Sequence, residues 1–287
     1  MNAGETVLAE AVDAFRDALG GRLLAAYALG SLAHGGFSPL VSDIDLGLIV
    51  RDPLRSDDAE RIQAVADAQK ANGSELSERL SVFWATESTL RGEQEGGRLP
   101  ALDRLDLIEN GRLLAGTDAL YDLPRPSSNE LVITGAEFAL DFLAGVRDAG
   151  GPPAEGLGSM RRAGEDAVQE IRSPERLLAG GVRRVTKLVL FPVRFLFTAA
   201  TGGVGTNDAA VAYYLAGGEA PSTKLVAAAL GWRTVPPTDE GAAAELLQEQ
   251  MVPLYVHYID DHIARLDSLD HPELARSFEA WRDRLVR

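Results

Sequence analysis

Residues 23–50 read LLAAYALGSLAHGGFSPLVSDIDLGLIV, and the organisation of the chain follows from them. The apolar run ending at Leu29 predicts a strand, Gly30-Ser31 opens a loop that reaches Ser42, and Asp43 to Val50 predicts a second strand. Side chains alternate along a strand, so Asp43 and Asp45 emerge on one face while Ile44 and Leu46 point to the other. Two carboxylates held side by side oppose each other's ionisation unless a cation or a proton neutralises them. Magnesium suits such a pair, because it is a hard ion that takes oxygen ligands and commonly bridges one or two carboxylates to substrate phosphates.

Around this core the periodicity predicts an amphipathic helix over residues 5–20, with Val7, Leu8, Val12, Phe15 and Leu19 on one side. A helix follows the second strand, with Ser56 as a candidate cap, Ile62, Val65 and Ala66 inward and Gly73 at its end. The β-branched and aromatic content of ERLSVFWATES predicts a third strand, and Arg79, Ser81 and Phe83 share one of its faces. Residues 88–100 are polar and glycine-rich and read as a loop. Leu105, Leu107 and Ile108 indicate a short helix or strand, and Leu113-Leu114 an edge strand. Pro124, Pro126, Ser127 and Ser128 form the best linker, so the chain is expected to divide into residues 1–124 and 125–287.

Beyond the linker the pattern is helical: segments starting near Asn129 and Gly156, a longest helix over Arg176–Thr201 interrupted by Pro192, and further helices from Ser222, Glu240 and Pro272. The expected class is α+β, a mixed sheet with helices followed by an all-helical bundle. Arg194 stands among Leu, Phe and Val, where it either pairs with an acid in the helical core or holds phosphate oxygens bidentately. Lys187 lies seven residues earlier on the same helix face. His257, Asp260, Asp261 and His262 suggest a metal cluster at first sight, but a five-residue spacing does not put two histidines on one helical face. Surface placement is expected for them, and for His34 in its loop.

Composition narrows the function classes. The chain has 287 residues, no cysteine and a formal charge of −15. It therefore has no disulfide, thiolate metal site or cysteine nucleophile. An acidic balance speaks against nucleic-acid binding, which needs a basic footprint, and suits a cationic small molecule. The start lacks the basic and apolar regions of a signal peptide, and the most apolar segment, from Leu188, is too short to span a bilayer and contains Arg194. A cytoplasmic protein without membrane partners is expected, and oligomeric state is left open.

Gly30-Ser31 followed, after a spacer, by Ser42-Asp43-Ile44-Asp45-Leu46 resembles the signature of the polymerase-beta-like nucleotidyltransferases, most closely the streptomycin/spectinomycin type of aminoglycoside adenylyltransferase. The region from Pro192 to Leu215, with an arginine in an apolar helix before a threonine-glycine turn, is similar to the helical domain of that family. The resemblance implies that Gly30 and Ser31 hold nucleotide phosphates and that Asp43 and Asp45 bind magnesium; Ser42 and Arg194 are further candidates to meet the nucleotide. It implies ATP as co-substrate and AMP transfer to a hydroxyl of an aminoglycoside-like acceptor. Two departures stand out. Family members place a third carboxylate, the general base, where this chain has Ser81, and some place a lysine where it has Asn207. Glu75, Glu78 and Glu87 are the candidates to replace the base. The alternatives are a catalytically impaired nucleotide-binding protein of the same fold, or a nucleotidyltransferase acting on a protein partner.

Overall fold

The computed structural model describes residues 2–145, 166–218 and 220–287. They divide into two compact units, Met1–Pro126 and Ser127–Arg287.

The first unit runs α1 (Ala3–Leu19), β1 (Leu23–Leu29), α2 (Gly30–His34), β2 (Ile44–Val50), α3 (Asp58–Asn72), β3 (Leu80–Thr86), α4 (Glu87–Leu90), α5 (Ala101–Asn110) and β4 (Arg112–Gly116). Among the described residues the strands form one mixed sheet in the order β3-β2-β1-β4. β1 is antiparallel to both β2 and β4, and β3 is parallel to β2. A parallel pair needs a crossover, which α3 supplies.

Alternation sorts the sheet residues onto two faces. Ala26, Ala28, Ile44, Leu46, Leu48, Leu80 and Val82 pack with Val7, Leu8, Phe15 and Ile62 of α1 and α3. Ala25, Tyr27, Leu29, Ile49 and Ala85 pack with Leu90 and Leu107 of α4 and α5. Asp45 and Ser81 belong to this second face by the two-residue period.

α1 begins where the Asn2 side chain accepts the Glu5 N–H at 2.9 Å, and its expected apolar stripe is buried. α3 starts at Asp58 rather than at a Ser56 cap. The reason is the Asp58 carboxylate, which accepts the Arg55 N–H at 2.8 Å and takes the buried Arg22 guanidinium, fixing the turn two residues later. The 30–42 segment differs from the expected loop, since Gly30–His34 closes a helical turn directly after β1. The glycine-rich segment after β3 returns to that edge strand: Arg98 N–H donates to Trp84 O at 2.7 Å and Trp84 N–H to Arg98 O at 3.0 Å.

Tyr27 closes the unit. Its hydroxyl donates to Asp118 at 2.8 Å and accepts the Ala119 N–H at 2.7 Å. Burial pushes the phenol well above its ordinary value. The Leu120 N–H and then the Tyr27 hydroxyl hold the Asp118 carboxyl below its own.

The second unit is helical: α6 (Ser128–Ala139), a wider turn over Leu140–Ala144, α7 (residues 166–172), α8 (Pro174–Ala179), α9 (Gly181–Thr201), α10 (Asn207–Ala216), α11 (Thr223–Trp232), α12 (Glu240–Ser268) and α13 (Pro272–Val286). Its core includes Leu188, Val189, Val193, Tyr255, Tyr258, Ile259, Phe278 and Trp281. The first of these helices gives way at Gly145 to a left-handed residue, and most of the helix expected from Gly156 lies outside the described residues. Gly180-Gly181 separates α8 from α9, so the expected helix over 176–201 is two, and α12 is longer than either at 29 residues. Pro192 lies inside α9 and Pro253 inside α12 without ending them. Each removes one main-chain hydrogen bond, a cost of about 3 kcal/mol in an isolated helix, which packing against this core offsets.

His262 corrects the expectation of surface placement. Only 1% of it is exposed. It continues the stripe Leu254, Tyr258, His262, Leu266 at four-residue spacing, so helix geometry carries it inward whatever its polarity. Its ring stacks on Phe278 at 5.8 Å. No helix among the described residues is long and apolar enough to cross a membrane.

Candidate active site

The site is built at the junction of β1, α2 and β2. Leu29, the last residue of β1, pairs with Asp45, and Asp45 pairs on its other side with Ser81. Asp45 thus sits on a central strand with its side chain on the α5 face of the sheet. Asp43 lies two residues earlier, just before β2, and both carboxylates are half-buried.

Gly30 is the turning point between β1 and α2. Its φ of +59° lies in the left-handed region, which disfavours any residue with a Cβ. Space reinforces the demand, because a Cβ there would run into the Asp45 carboxylate. The α-carbon of Gly30 and the carboxylate of Asp45 are therefore in direct apposition. Ser31 follows as the second residue of α2, half-buried.

Ser42 is buried and fastens the preceding loop. Its hydroxyl oxygen accepts the Ser38 N–H at 3.0 Å, and its own N–H donates to Ser38 O at 2.9 Å. Arg79, at the entrance to β3, donates to Pro39 O at 2.9 Å and ties the same loop to the sheet. These bonds set the position from which Asp43 departs.

One carboxylate in this neighbourhood is not singled out by the sequence pattern. Asp106 of α5 accepts the Gly30 N–H at 2.6 Å through Oδ2, and its Oδ1 accepts from Asn110 Nδ2 at 2.9 Å. Gly30 bridges Asp106 on one side and Asp45 on the other, which places the two carboxylates no more than about 8 Å apart. The signal available in LDRLDLIEN is slight: Asp106 stands between Leu105 and Leu107, both buried.

The three glutamates considered as bases lie elsewhere. Glu75 is 89% exposed at its side chain and faces Arg79. Glu78 is exposed on the turn before β3. Glu87 begins α4 at the far end of β3, six residues beyond Ser81, or about 20 Å along the strand.

The donor set fits a hard divalent cation. Asp43 and Asp45 offer oxygens only, and among the described residues no group of three or more acidic or histidine side chains could hold a metal alone. An ion here would complete its shell with water and ligand oxygens, as magnesium does.

Arg194 lies in the helical unit. Its Nε donates to Gly205 O at 2.5 Å and its guanidinium lies 5.9 Å from the Phe191 ring centroid. It thereby braces the turn between α9 and α10, where Gly202 ends α9 in a left-handed conformation and the Thr206 hydroxyl accepts the Ala209 N–H at 3.3 Å. Burial lowers the Arg233 guanidinium, the Asp208 charge opposes this and the Arg194 charge adds to it, so the net shift is downward. His257 is exposed beside Tyr214, and Asp260 pairs with Arg282 at 2.9 Å. Neither joins His262.

No protein-family model matches the sequence, and no curated protein matches it. A solved structure does resemble it. Spectinomycin adenyltransferase AAD(9) from Enterococcus faecialis, crystallised with ATP and spectinomycin, superposes with a TM-score of 0.52 and 14% identity, covering 87% of this chain and 98% of that one. The chain shares that enzyme's nucleotidyltransferase fold. At this identity the likeness is one of fold: a mixed sheet followed by a helical region.

Proposed function

We propose that the protein is a magnesium-dependent adenylyltransferase that moves AMP from ATP to a hydroxyl of a small cationic acceptor. The observation that carries this reading is the apposition of Gly30 and Asp45, which puts a glycine-serine turn directly against a carboxylate on the central strand. Asp43 and Asp45 would hold the cation, and Ser31 and Ser42 are the hydroxyls proposed beside the nucleotide. Arg194 is proposed as a phosphate-binding residue of the helical unit, with its Nε engaged by Gly205 O and the rest of its fork directed to phosphate. Bound magnesium would supply charge neutralisation on the triphosphate. The acceptor oxygen bonds to the α-phosphorus, the bond to pyrophosphate breaks, and the hydroxyl proton passes to water.

Several features support the acceptor class. The neighbouring fold is that of an enzyme crystallised with spectinomycin. The net charge of −15 concentrates cationic solutes around the protein. A specific observation favours the second reading, a nucleotide-binding protein with impaired catalysis: the residue paired with Asp45 on β3 is Ser81, which offers no carboxylate.

Incubation with ATP, magnesium and a panel of aminoglycosides, followed by mass spectrometry, separates the two. The proposal expects one AMP added to at least one acceptor, with pyrophosphate released. ATP binding without an adduct across the panel would favour the impaired protein.

A further inference from the structure

Asp106 has no part in the reading above, yet its carboxylate bonds directly to the glycine-serine turn. The Gly30 N–H is the donor a phosphate would be expected to meet first, and in this structure it is given to Asp106 Oδ2 at 2.6 Å. The second oxygen of that carboxylate is held by Asn110, one helical turn along α5, at 2.9 Å. A carboxylate bonded to a main-chain N–H makes a charge-assisted bond of roughly twice ordinary strength. Gly30 needs such a hold. Its backbone is in the left-handed region, and its α-carbon closes against Asp45.

We infer that Asp106 is a positioning residue of the proposed nucleotide site: by accepting the Gly30 N–H it sets the glycine-serine turn against Asp45, and Asn110 sets Asp106. The inference rests on the adenylyltransferase reading for its consequence, but not for its geometry. A role as third metal ligand is disfavoured on two grounds. Both oxygens already accept hydrogen bonds, and among the described residues no three acidic side chains converge closely enough to hold an ion. With its N–H committed, Gly30 contributes shape to the turn, and the donors left for phosphate are those of Ser31.

The test compares wild type, Asp106→Ala, Asp106→Asn and Asn110→Ala in two measurements. The first is calorimetric titration with ATP and magnesium. Asp106→Ala is expected to weaken binding about 10-fold, because it frees a strained turn. Asp106→Asn keeps an oxygen that accepts the same N–H, so it should stay within about 3-fold of wild type, and Asn110→Ala should fall between. Equal binding by Asp106→Ala and wild type overturns the inference. So does an Asp106→Asn as weak as Asp106→Ala, which would mean that the charge itself matters and that Asp106 is a ligand or base.

The second measurement is the Gly30 amide proton resonance without nucleotide. It should lie far downfield in wild type and in Asp106→Asn, and move upfield in Asp106→Ala. If wild type binds no ATP, the proposed function fails, and this resonance still decides the latch. A signal indifferent to Asp106→Ala overturns it.

Discussion

Strand β2 has a carboxylate near each end, and the protein treats the two oppositely. At its far end, Asp58 is buried and takes the guanidinium of Arg22, which also donates to Pro53 O at 3.1 Å. At its near end Asp43 and Asp45 are half-buried, with the α-carbon of Gly30 against the Asp45 carboxylate. A charge removed from water must be matched on the spot, so the Asp58 end is built for stability. A half-buried carboxylate keeps access to solvent, so the Asp45 end suits binding. One strand of seven residues, about 20 Å long, thus lies between a fully buried acid and a half-buried pair.

The contrast can be broken experimentally. Asp58→Ala strands a buried guanidinium and is expected to cost about 3–5 kcal/mol of unfolding free energy, read by urea titration. The folded fraction should bind nucleotide as wild type does. If stability is unchanged, Asp58 is not the stabilising member of the comparison.

A smaller effect comes from the helical unit, where Asp261 is another matched acid. Burial pushes its carboxyl up, but hydrogen bonds from His262 and Arg265 outweigh that and bring it down to about 2. Arg265 Nε donates to it at 2.7 Å and its Nη1 reaches Ala199 O at 2.9 Å, so the pair also ties α12 to α9. Because the folded value lies below the unfolded one, the pair stabilises the protein above about pH 4 and loses that contribution as pH falls toward 2. The loss is about 2 kcal/mol. Asp261→Asn should flatten this part of the stability profile relative to wild type, and parallel profiles for the two proteins would contradict the assignment.

The Asp43/Asp45 end of β2 was largely legible in the sequence, because everything that makes it is local. The apolar runs, Gly30-Ser31 and the Asp43/Asp45 alternation lie within 28 residues of chain, and the pairing of Leu29 with Asp45 follows from two strands joined by one loop. The α+β class and the edge position of β4 were legible for the same reason of period. What was not legible depends on packing across distance. Asp106 meets Gly30 from 76 residues away, and a lone acid between two leucines gives no hint of which backbone N–H it will reach. Asp58 reads as one more charge at a helix start until Arg22 is seen to arrive from the turn that precedes β1. The spacing of His262 from His257 argues against a metal pair but says nothing of burial, which its four-residue spacing from Tyr258 and Leu266 decides.

The central proposal is that the Asp43/Asp45 end of β2 binds magnesium and ATP together. Calorimetric titration of wild type and Asp45→Ala with ATP, with and without magnesium, tests it most directly, and thermal unfolding of the two proteins serves as the control. The account predicts magnesium-dependent ATP binding by wild type, its loss in Asp45→Ala, and little change in the unfolding midpoint. Unaltered binding by Asp45→Ala, or no ATP binding by wild type, would contradict it.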